Sequence, residues 1–154
     1  MEFETFYLKH YQFVFSICYT YMKNRHEAED VTEDIFVKVY TSKICFENEE
    51  HEKSWLAVAT INLCKDRLKS WWKRKISSLE LQEEIPVNDE IKTDDTLNEV
   101  MKLPSKYKDV VYLYYYMGYS TDEIAVMLKK PASTIRNHLR EARLKLKDVL
   151  EGEV

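Results

Sequence analysis

A group of arginine and asparagine residues near the C-terminus could bind DNA. Arg136, Asn137, Arg140 and Arg143 fall on faces of a predicted helix that its apolar residues leave free. Arginine pairs with guanine, and asparagine with adenine, through two parallel hydrogen bonds in the major groove. These residue types at this spacing favour a DNA-reading helix. An ordinary helical hairpin with a solvated charged face is the alternative.

A second candidate surface combines positive charge with aromatic rings. The segment KDRLKSWWKRK (65–75) holds six bases and one acid around Trp71 and Trp72. Lysine and arginine neutralise phosphates, and exposed indole rings stack on unpaired bases. The helix dipole also favours cations at a helix C-terminus, so part of the cluster needs no partner. The pattern favours nucleic-acid binding over a helix end without a partner.

A third candidate surface is the acidic face of a helix predicted from about Arg25 to Tyr40. The residues predicted to be buried on this helix are Ala28, Val31, Ile35 and Val39. The residues predicted on its other side are Asp30, Glu33, Asp34 and an exposed Phe36. An acidic face with an exposed aromatic ring suits a basic partner helix. A face that is merely solvated is the alternative.

Two short helices must position the arginine-rich surface. Ser120 and Glu123 form a capping-box pattern, which predicts the start of the first helix. Pro131 lacks the amide that a continuing helix needs, and it predicts the first turn of the second helix. Lys129 occupies the turn where glycine is usual, so a non-glycine residue with positive φ is expected there. The buried stripe of the second helix is predicted at Ile135, Leu139, Ala142 and Leu146.

The rest of the chain is also predicted to be helical, because it contains only two Gly and three Pro. Apolar periodicity predicts one helix from about Phe3 to Met22 and another from Glu52 to Lys75. The inward residues predicted for the latter are Trp55, Leu56, Ala59 and Leu63. Residues 43–53 break the pattern and are predicted to be a loop. A further helix is predicted from Leu103-Pro104 to Gly118.

Charge is unevenly distributed along the 154 residues, whose net charge is −4. Residues 76–95 carry one base and seven acids, whereas residues 96–154 carry ten bases and eight acids. The acidic segment lacks periodicity and contains Pro86, so it is predicted to be a linker. We therefore predict an all-α protein with two small helical domains, 1–75 and 96–154, joined by an acidic linker at 76–95.

Composition also limits the classes of function. No apolar run approaches the length of a membrane span, and the N-terminus lacks a signal-peptide pattern, so we expect a cytoplasmic protein. Cys18, Cys45 and Cys64 form no CxxC pair, and we expect reduced thiols in or near a helical core. Without a glycine-rich phosphate loop or a plausible triad, we expect no enzyme activity, no metal site and no cofactor.

The two predicted domains together resemble bacterial RNA polymerase sigma factors of the small, two-domain extracytoplasmic-function (ECF) type. The resemblance covers nearly the whole chain and rests on four segments in order. These segments are AEDVTEDIFVKVY (28–40), WLAVATINLCKDRLK (55–69), LPSKYKDVVYLYYYMGYSTDEIAVML (103–128) and STIRNHLREARLKL (133–146). The resemblance implies a region 2-like helical bundle followed by a region 4-like helix-turn-helix domain.

The resemblance also implies a role for each surface. The helix 25–40 is similar to the element that docks on the clamp helices of the largest polymerase subunit, with Asp30, Glu33, Asp34 and Phe36 at the contacting positions. The loop 43–53 and the following helix are similar to the element that opens the minus-10 promoter element and captures an unstacked base. The implied minus-10 contacts are Asn62, Lys65, Arg67, Lys69, Trp71, Trp72, Lys73 and Arg74. The implied contacts to the minus-35 element are Ser133, Thr134, Arg136, Asn137, His138 and Arg140.

The partners that the resemblance implies are core RNA polymerase, through its clamp helices and flap, promoter DNA, and an anti-sigma factor of the kind that such proteins often have. No membrane insertion is expected. Lys129 and Glu141 depart from the family's common glycine and basic residues, so a promoter sequence is not transferred from relatives. A stand-alone helix-turn-helix transcriptional regulator is the alternative function, and a helical adaptor that binds only proteins is a third class.

Overall fold

The computed structural model describes residues 2–77 and 95–151, and every regular element within these ranges is helical. The helices are α1 (Phe3–Met22), α2 (Arg25–Ser42), α3 (Glu49–Ser77), α4 (Asp95–Met101), α5 (Ser105–Val111), a π-helical turn (Tyr112–Tyr116), α6 (Thr121–Leu128) and α7 (Ala132–Glu151). The chain divides into two compact units, residues 1–91 and 92–154. The predicted all-α fold class is confirmed.

The first unit is a three-helix bundle in which α1, α2 and α3 each pack against the other two. Helix α1 has the predicted bounds, and α2 ends two residues after the predicted Tyr40. The predicted buried stripe of α2 is confirmed, because Ala28, Val31, Ile35 and Val39 are all inaccessible to solvent. Burial of this stripe fixes the direction in which the opposite face of α2 points.

Phe36 is buried, so the prediction of an exposed aromatic ring on α2 was wrong. Its side chain is only 1% exposed. The ring lies edge-on to Tyr7, with centroids 4.8 Å apart, and is nearly parallel to Tyr11 at 6.4 Å. Because α2 contacts two helices, its apolar side is wider than the single stripe expected from the sequence. Burying a ring of this size contributes about 1.5–3 kcal/mol to stability.

The predicted loop 43–53 is shorter in the structure, because α3 begins at Glu49. The side chain of Asn48 accepts a hydrogen bond of 2.8 Å from the backbone N–H of His51, as an N-cap residue does. Three acids lie in the first turn of α3, where the helix dipole favours negative charge. The acidic run that suggested a loop is therefore a helix start.

The buried side of α3 also differs from the prediction. Of the four residues predicted to face inward, Leu56 is fully buried, whereas Trp55, Ala59 and Leu63 are partly exposed. The fully buried residues of α3 are Leu56, Ala57, Thr60, Ile61 and Cys64. Small side chains dominate this set, and small side chains permit close helix packing. A pattern of large apolar residues in the sequence does not indicate such positions.

The ends of the predicted linker also require correction. Helix α3 continues two residues past the predicted domain end, to Ser77, and α4 begins at Asp95. The rest of the linker prediction falls on residues 78–94, which lie outside the described residues. Within the described ranges, no helix combines the length and apolar character needed to cross a membrane.

The helix predicted from Leu103-Pro104 to Gly118 consists of α5 and the π-helical turn. In this turn the backbone N–H of Met117 bonds to the carbonyl of Tyr112 at 3.0 Å, which closes a wider loop than an α-helix does. The wider turn buries Tyr112 and leaves Tyr115 exposed. Gly118 then ends the element with φ of 80°, as the sequence indicated.

The predicted start and end of α6 are confirmed. The Ser120 hydroxyl accepts from the N–H of Glu123 at 3.1 Å, and the Glu123 carboxylate accepts from the N–H of Ser120 at 2.9 Å. The turn after α6 places Lys129 at φ of 57°. Helix α7 begins at Ala132, one residue after Pro131. Of its predicted stripe, Ile135, Leu139 and Ala142 are buried, and Leu146 is partly exposed.

Replacing Lys129 with glycine should stabilise the second unit. The left-handed backbone strains any residue that has a Cβ atom, and removal of that strain is worth about 1 kcal/mol. Amide hydrogen exchange at Ile124 and Ile135 in the full chain measures the effect locally. Lys130→Gly is the matched control, because Lys130 does not have positive φ. Equal effects of the two substitutions would contradict the strain argument.

Candidate polymerase and nucleic-acid interfaces

The three acids predicted to bind polymerase are exposed on α2, but they differ in their partners. The Tyr7 hydroxyl donates a hydrogen bond of 2.9 Å to Glu33, and the Arg67 guanidinium donates to Asp34. The carboxylate of Asp30 lies 3.7 Å from the ring of His26, and both of these side chains are more than half exposed. Asp30 is therefore the acid of this face that is held least by the fold.

The contact between Tyr7 and Glu33 fixes one edge of this acidic face. Burial, and then the hydrogen bond and charge of Glu33, raise the pKa of Tyr7 to about 12. A phenol is protonated at neutral pH even at its ordinary pKa, and the raised pKa extends its donation to the carboxylate to higher pH. Because Tyr7 belongs to α1 and Glu33 to α2, this bond connects the two helices at the surface.

The ion pair between Arg67 and Asp34 links two surfaces that the sequence analysis kept separate. Asp34 belongs to the predicted polymerase contact on α2, and Arg67 to the predicted minus-10 contact on α3. Their side chains are 47% and 36% exposed. An exposed pair of this kind contributes about 0–1 kcal/mol to stability. Its main consequence is electrostatic, because each charge reduces the attraction between the other charge and an external partner.

The basic end of α3 presents several solvent-accessible side chains. The exposed residues among those predicted to contact DNA are Asn62, Lys69, Trp72, Lys73 and Arg74. Lys65, Arg67 and Trp71 are partly exposed. The two indole rings are perpendicular, with centroids 4.7 Å apart, so they do not form one flat stacking platform. Trp72, which is 48% exposed, is the ring that is more open to an unpaired base.

The described part of the first unit contains cavities at the basic end of α3 and beside the loop before it. A polar cavity of about 380 Å³ is lined by Met22, Glu27, Arg67, Ser70, Trp71 and Arg74. Two guanidinium groups therefore lie beside one indole ring at the basic end of α3. A second cavity of about 540 Å³ lies beside the loop that precedes α3. Its lining residues are Phe3, Val39, Tyr40, Lys43, Ile44, Cys45, Phe46 and Glu52.

A buried histidine that the sequence analysis missed holds Glu52 at the second cavity. His10 is fully buried, and its Nε2 lies 2.7 Å from Oε2 of Glu52. Lys9 lies 3.7 Å from the same oxygen. These residues are far apart in the sequence, so no local motif joins them. The sequence did contain one signal, because His10 falls in the same apolar stripe as Phe6 and Val14. A histidine at such a position needs a polar partner.

The predicted DNA-reading face of α7 is exposed. Ser133, Arg136 and Asn137 are open to solvent, whereas Thr134 is partly exposed. Arg140 is 70% exposed in its side chain. Its Nη2 donates a hydrogen bond of 2.9 Å to Oδ1 of Asn137, so these two predicted contacts are joined within the helix.

Arg143 is tied to the π-helical turn. Its Nε donates a hydrogen bond of 2.6 Å to the hydroxyl of Tyr115. Its guanidinium carbon lies 5.6 Å from the centroid of the same ring, which adds a cation–π contact. The sequence analysis placed Arg143 among the residues that could reach a partner. The structure instead uses it to connect α7 with the preceding aromatic segment.

His138 packs against the protein, unlike the other predicted contacts on α7. Its ring is edge-on to Tyr107, with centroids 5.7 Å apart. Its Nδ1 is buried and has no hydrogen-bond partner among the described residues. Burial, together with the charges of Lys130 and Lys106, lowers the pKa of His138 below its usual value. The side chain therefore carries no charge at neutral pH.

Two family models match successive parts of the chain, one in each unit. The model described as Sigma-70 region 2 matches residues 6–74, and the model described as Sigma-70, region 4 matches residues 95–146. The chain belongs to the sigma-70 family. The family indicated by the sequence motifs is thereby confirmed, and the stand-alone regulator is not favoured.

Similar proteins include ECF and other RNA polymerase sigma factors. The ECF RNA polymerase sigma factor SigW of Bacillus subtilis is 26% identical, with 89% of this chain and 82% of that protein covered. The RNA polymerase sigma factor SigV of the same organism is 27% identical, with 86% of this chain and 81% of that protein covered. With both domain matches, these relatives identify an ECF-type sigma factor.

Similar solved structures share the fold. The sigma factor RpoE, in complex with the anti-sigma factor NepR from Bartonella quintana, has a TM-score of 0.68 and 17% identity, and the match covers 97% of this chain and 96% of that one. CnrH, in complex with the cytosolic domain of CnrY, has a TM-score of 0.68 and 20% identity, with 99% of this chain and 89% of that one covered. Both likenesses support the helical architecture described above.

The lowered pKa of His138 predicts a pH dependence of stability in the second unit. The unfolded chain takes up a proton near pH 6.5, whereas the folded unit takes it up only at lower pH. The second unit should therefore lose stability as the pH falls below about 6.5. His138→Gln should flatten this slope, as measured by amide exchange in the full chain.

The matched control for this experiment is His26→Gln, because the His26 side chain is 81% exposed and belongs to the first unit. That substitution should leave the slope of the second unit unchanged. An unaltered slope in His138→Gln would show that the partly buried imidazole does not control the acid sensitivity.

Proposed function

We propose that this sigma factor directs core RNA polymerase to its own promoters through three surfaces, each with a separate task. The acidic face of α2 docks on polymerase, the basic end of α3 opens the minus-10 element, and α7 binds the minus-35 element. The strongest support is that the chain combines an acidic face on one helix with cationic surfaces on two other helices. A stand-alone DNA-binding protein would have no need for the acidic face.

The proposed docking surface consists of Asp30, Glu33 and Asp34, which face solvent on α2. A basic helix of the polymerase clamp is the complementary partner, because opposite potentials steer and orient docking. Phe36 is proposed to support this surface from beneath, since its ring is almost completely buried. Tyr7 and Arg67 hold two of the carboxylates in place before the partner arrives.

The proposed minus-10 surface follows the last turns of α3. Lys65, Lys69, Lys73 and Arg74 are proposed to neutralise phosphates, with Asn62 as a polar contact. Trp72 is proposed to stack on an unpaired base, and Trp71 and Arg67 to support the adjacent cavity. The loop before α3 is proposed to hold an unstacked base of the non-template strand.

The proposed minus-35 surface is the exposed part of α7. Its contacts are assigned to Ser133, Thr134, Arg136, Asn137 and Arg140, on the first three turns of the helix. We assign His138 to packing against α5 instead, because its ring contacts Tyr107. The same unit is proposed to contact the polymerase flap, and an anti-sigma factor is proposed as a further partner. These partners place the protein in the cytoplasm.

Electrostatics explains why DNA binding would require polymerase. Residues 1–75 carry twelve bases and twelve acids, so the predicted first domain has no net positive charge to attract DNA. The affinity of a protein for duplex DNA grows with the number of phosphates that it neutralises. Two weak contacts act together only when both are held on a common scaffold. Core polymerase would supply that scaffold.

Run-off transcription with core polymerase on genomic fragments tests the function. We expect defined start sites that appear only when the protein is added. Each start should follow a minus-35 and a minus-10 element at constant spacing. The same start sites with and without the protein would contradict the proposal.

Charge reversal on α2 tests the docking surface. The double variant Asp30→Lys, Asp34→Lys should weaken binding to core polymerase by about ten-fold or more, because two attractive contacts become repulsive. The measurement is an equilibrium titration of core polymerase with labelled protein, with circular dichroism as the check on folding.

Two controls separate the docking surface from other effects of the substitutions. Glu2→Lys, Glu4→Lys makes the same change in net charge at the start of α1 and should leave the affinity for core polymerase unchanged. Arg67→Ala removes the residue that positions Asp34 but leaves the charge of Asp34 intact, so it should weaken binding far less than the double charge reversal does. Equal losses in all three variants would show that net charge or folding, rather than the α2 face, causes the effect.

A further inference from the structure

We propose that Asn137 and Glu141 are positioning residues for Arg140, and that α7 uses Arg140 to bind a guanine in the minus-35 element. This inference rests on the proposed function, because it assigns roles within the minus-35 surface. It changes the expectation that Asn137 binds an adenine directly. It also gives a role to Glu141, which the sequence analysis noted only as a departure from the family pattern.

The geometry that supports this role is a cluster of three side chains on one exposed face of α7. Nη2 of Arg140 donates a hydrogen bond of 2.9 Å to Oδ1 of Asn137. The same Nη2 lies 3.5 Å from Oε1 of Glu141. Two neighbours thus hold one corner of the guanidinium group. The side chain of Arg140 nevertheless remains 70% exposed, so the rest of the group is accessible.

The cluster leaves Arg140 able to bind guanine. A guanidinium group has five N–H donors, and the contacts described here involve only Nη2. The pairing with O6 and N7 of guanine requires two parallel donors. The hydrogen bond to Asn137 uses one of the two Nη2 hydrogens, and the other remains parallel to a hydrogen of Nε or Nη1. Because the side chain is already held, less conformational freedom is lost when the base binds.

The same hydrogen bond disfavours direct adenine recognition by Asn137. Bidentate pairing with adenine requires the amide oxygen to accept from N6 while the amide nitrogen donates to N7. In the structure Oδ1 already accepts from Arg140, a cation. The amino group of adenine would have to approach that oxygen beside the positive charge, or displace the arginine. Asn137 is therefore better placed to orient Arg140 than to bind a base.

Glu141 separates the task of Arg140 from that of Arg136. The carboxylate of Glu141 offsets the charge of Arg140, which reduces the general attraction of Arg140 for phosphates. Directional hydrogen bonds to a base then become the main contribution of Arg140 to binding. Arg136 is exposed and makes no ion pair or hydrogen bond within the described part of the chain. Arg136 therefore suits a phosphate, which attracts any cation whatever the base sequence.

Transcription from a promoter library tests the assignment. Core polymerase and the full-length protein transcribe copies of one promoter, found by run-off transcription, in which each minus-35 position carries all four bases. The wild type should prefer guanine at one position by about ten-fold or more. Arg140→Ala should abolish this preference. Asn137→Ala should reduce it at the same position, and Asn137→Asp, which keeps an oxygen acceptor, should retain it.

Two further variants test the charges assigned to Glu141 and Arg136. Glu141→Gln should increase transcription from all library members about equally and raise its sensitivity to salt, because the charge of Arg140 is no longer offset. Arg136→Ala should lower transcription about equally across the library and leave the guanine preference intact. Circular dichroism confirms that each variant keeps its helices.

Several results would overturn the assignment. One is loss of an adenine preference at a different position in Asn137→Ala, which would make Asn137 a direct base contact. Another is an equal loss across the library in Arg140→Ala, which would make Arg140 a phosphate contact. The absence of any guanine preference in the wild type would also contradict it. Failure to find any promoter is a different outcome, because it would reject the sigma-factor function itself.

Discussion

Helix α2 must bury one side in the core and present acidic residues on the other side, and the rest of the first unit depends on this constraint. Its apolar side is buried against α1 and α3, and Phe36 extends that side beyond a single stripe. The opposite side can then present Asp30, Glu33 and Asp34 in one fixed orientation. The bonds from Tyr7 and Arg67 hold this face at its edges. Packing in the core thus positions an acidic surface that adds little to stability itself.

Charge compensation recurs in both units and suits a protein that acts only on a larger scaffold. On α3, Arg67 is paired with Asp34, and on α7, Arg140 lies beside Glu141. Each pair reduces non-specific attraction to DNA while fixing the geometry of one side chain. Specific contacts can then contribute more than simple phosphate attraction. Such a protein would occupy promoters through polymerase rather than search the genome alone.

Local signals in the sequence predicted several features correctly. The capping box at Ser120, the positive φ of Lys129 and the buried stripe of α2 depend on residues that are close together in the sequence. Features that depend on distant residues were missed. The sequence showed neither that Phe36 meets the tyrosines of α1 nor that the buried His10 binds Glu52. The small-residue contact of α3 was missed because Ala57 and Thr60 are not strongly apolar.

Core polymerase is proposed to turn two weak DNA contacts into one specific complex. The most direct measurement compares the affinity of the protein for a promoter fragment, by fluorescence anisotropy, in the absence and presence of core polymerase. For the protein alone we expect weak, strongly salt-dependent binding without preference for the promoter. With core polymerase we expect tight, promoter-specific binding. Equally tight and specific binding by the protein alone would contradict the account.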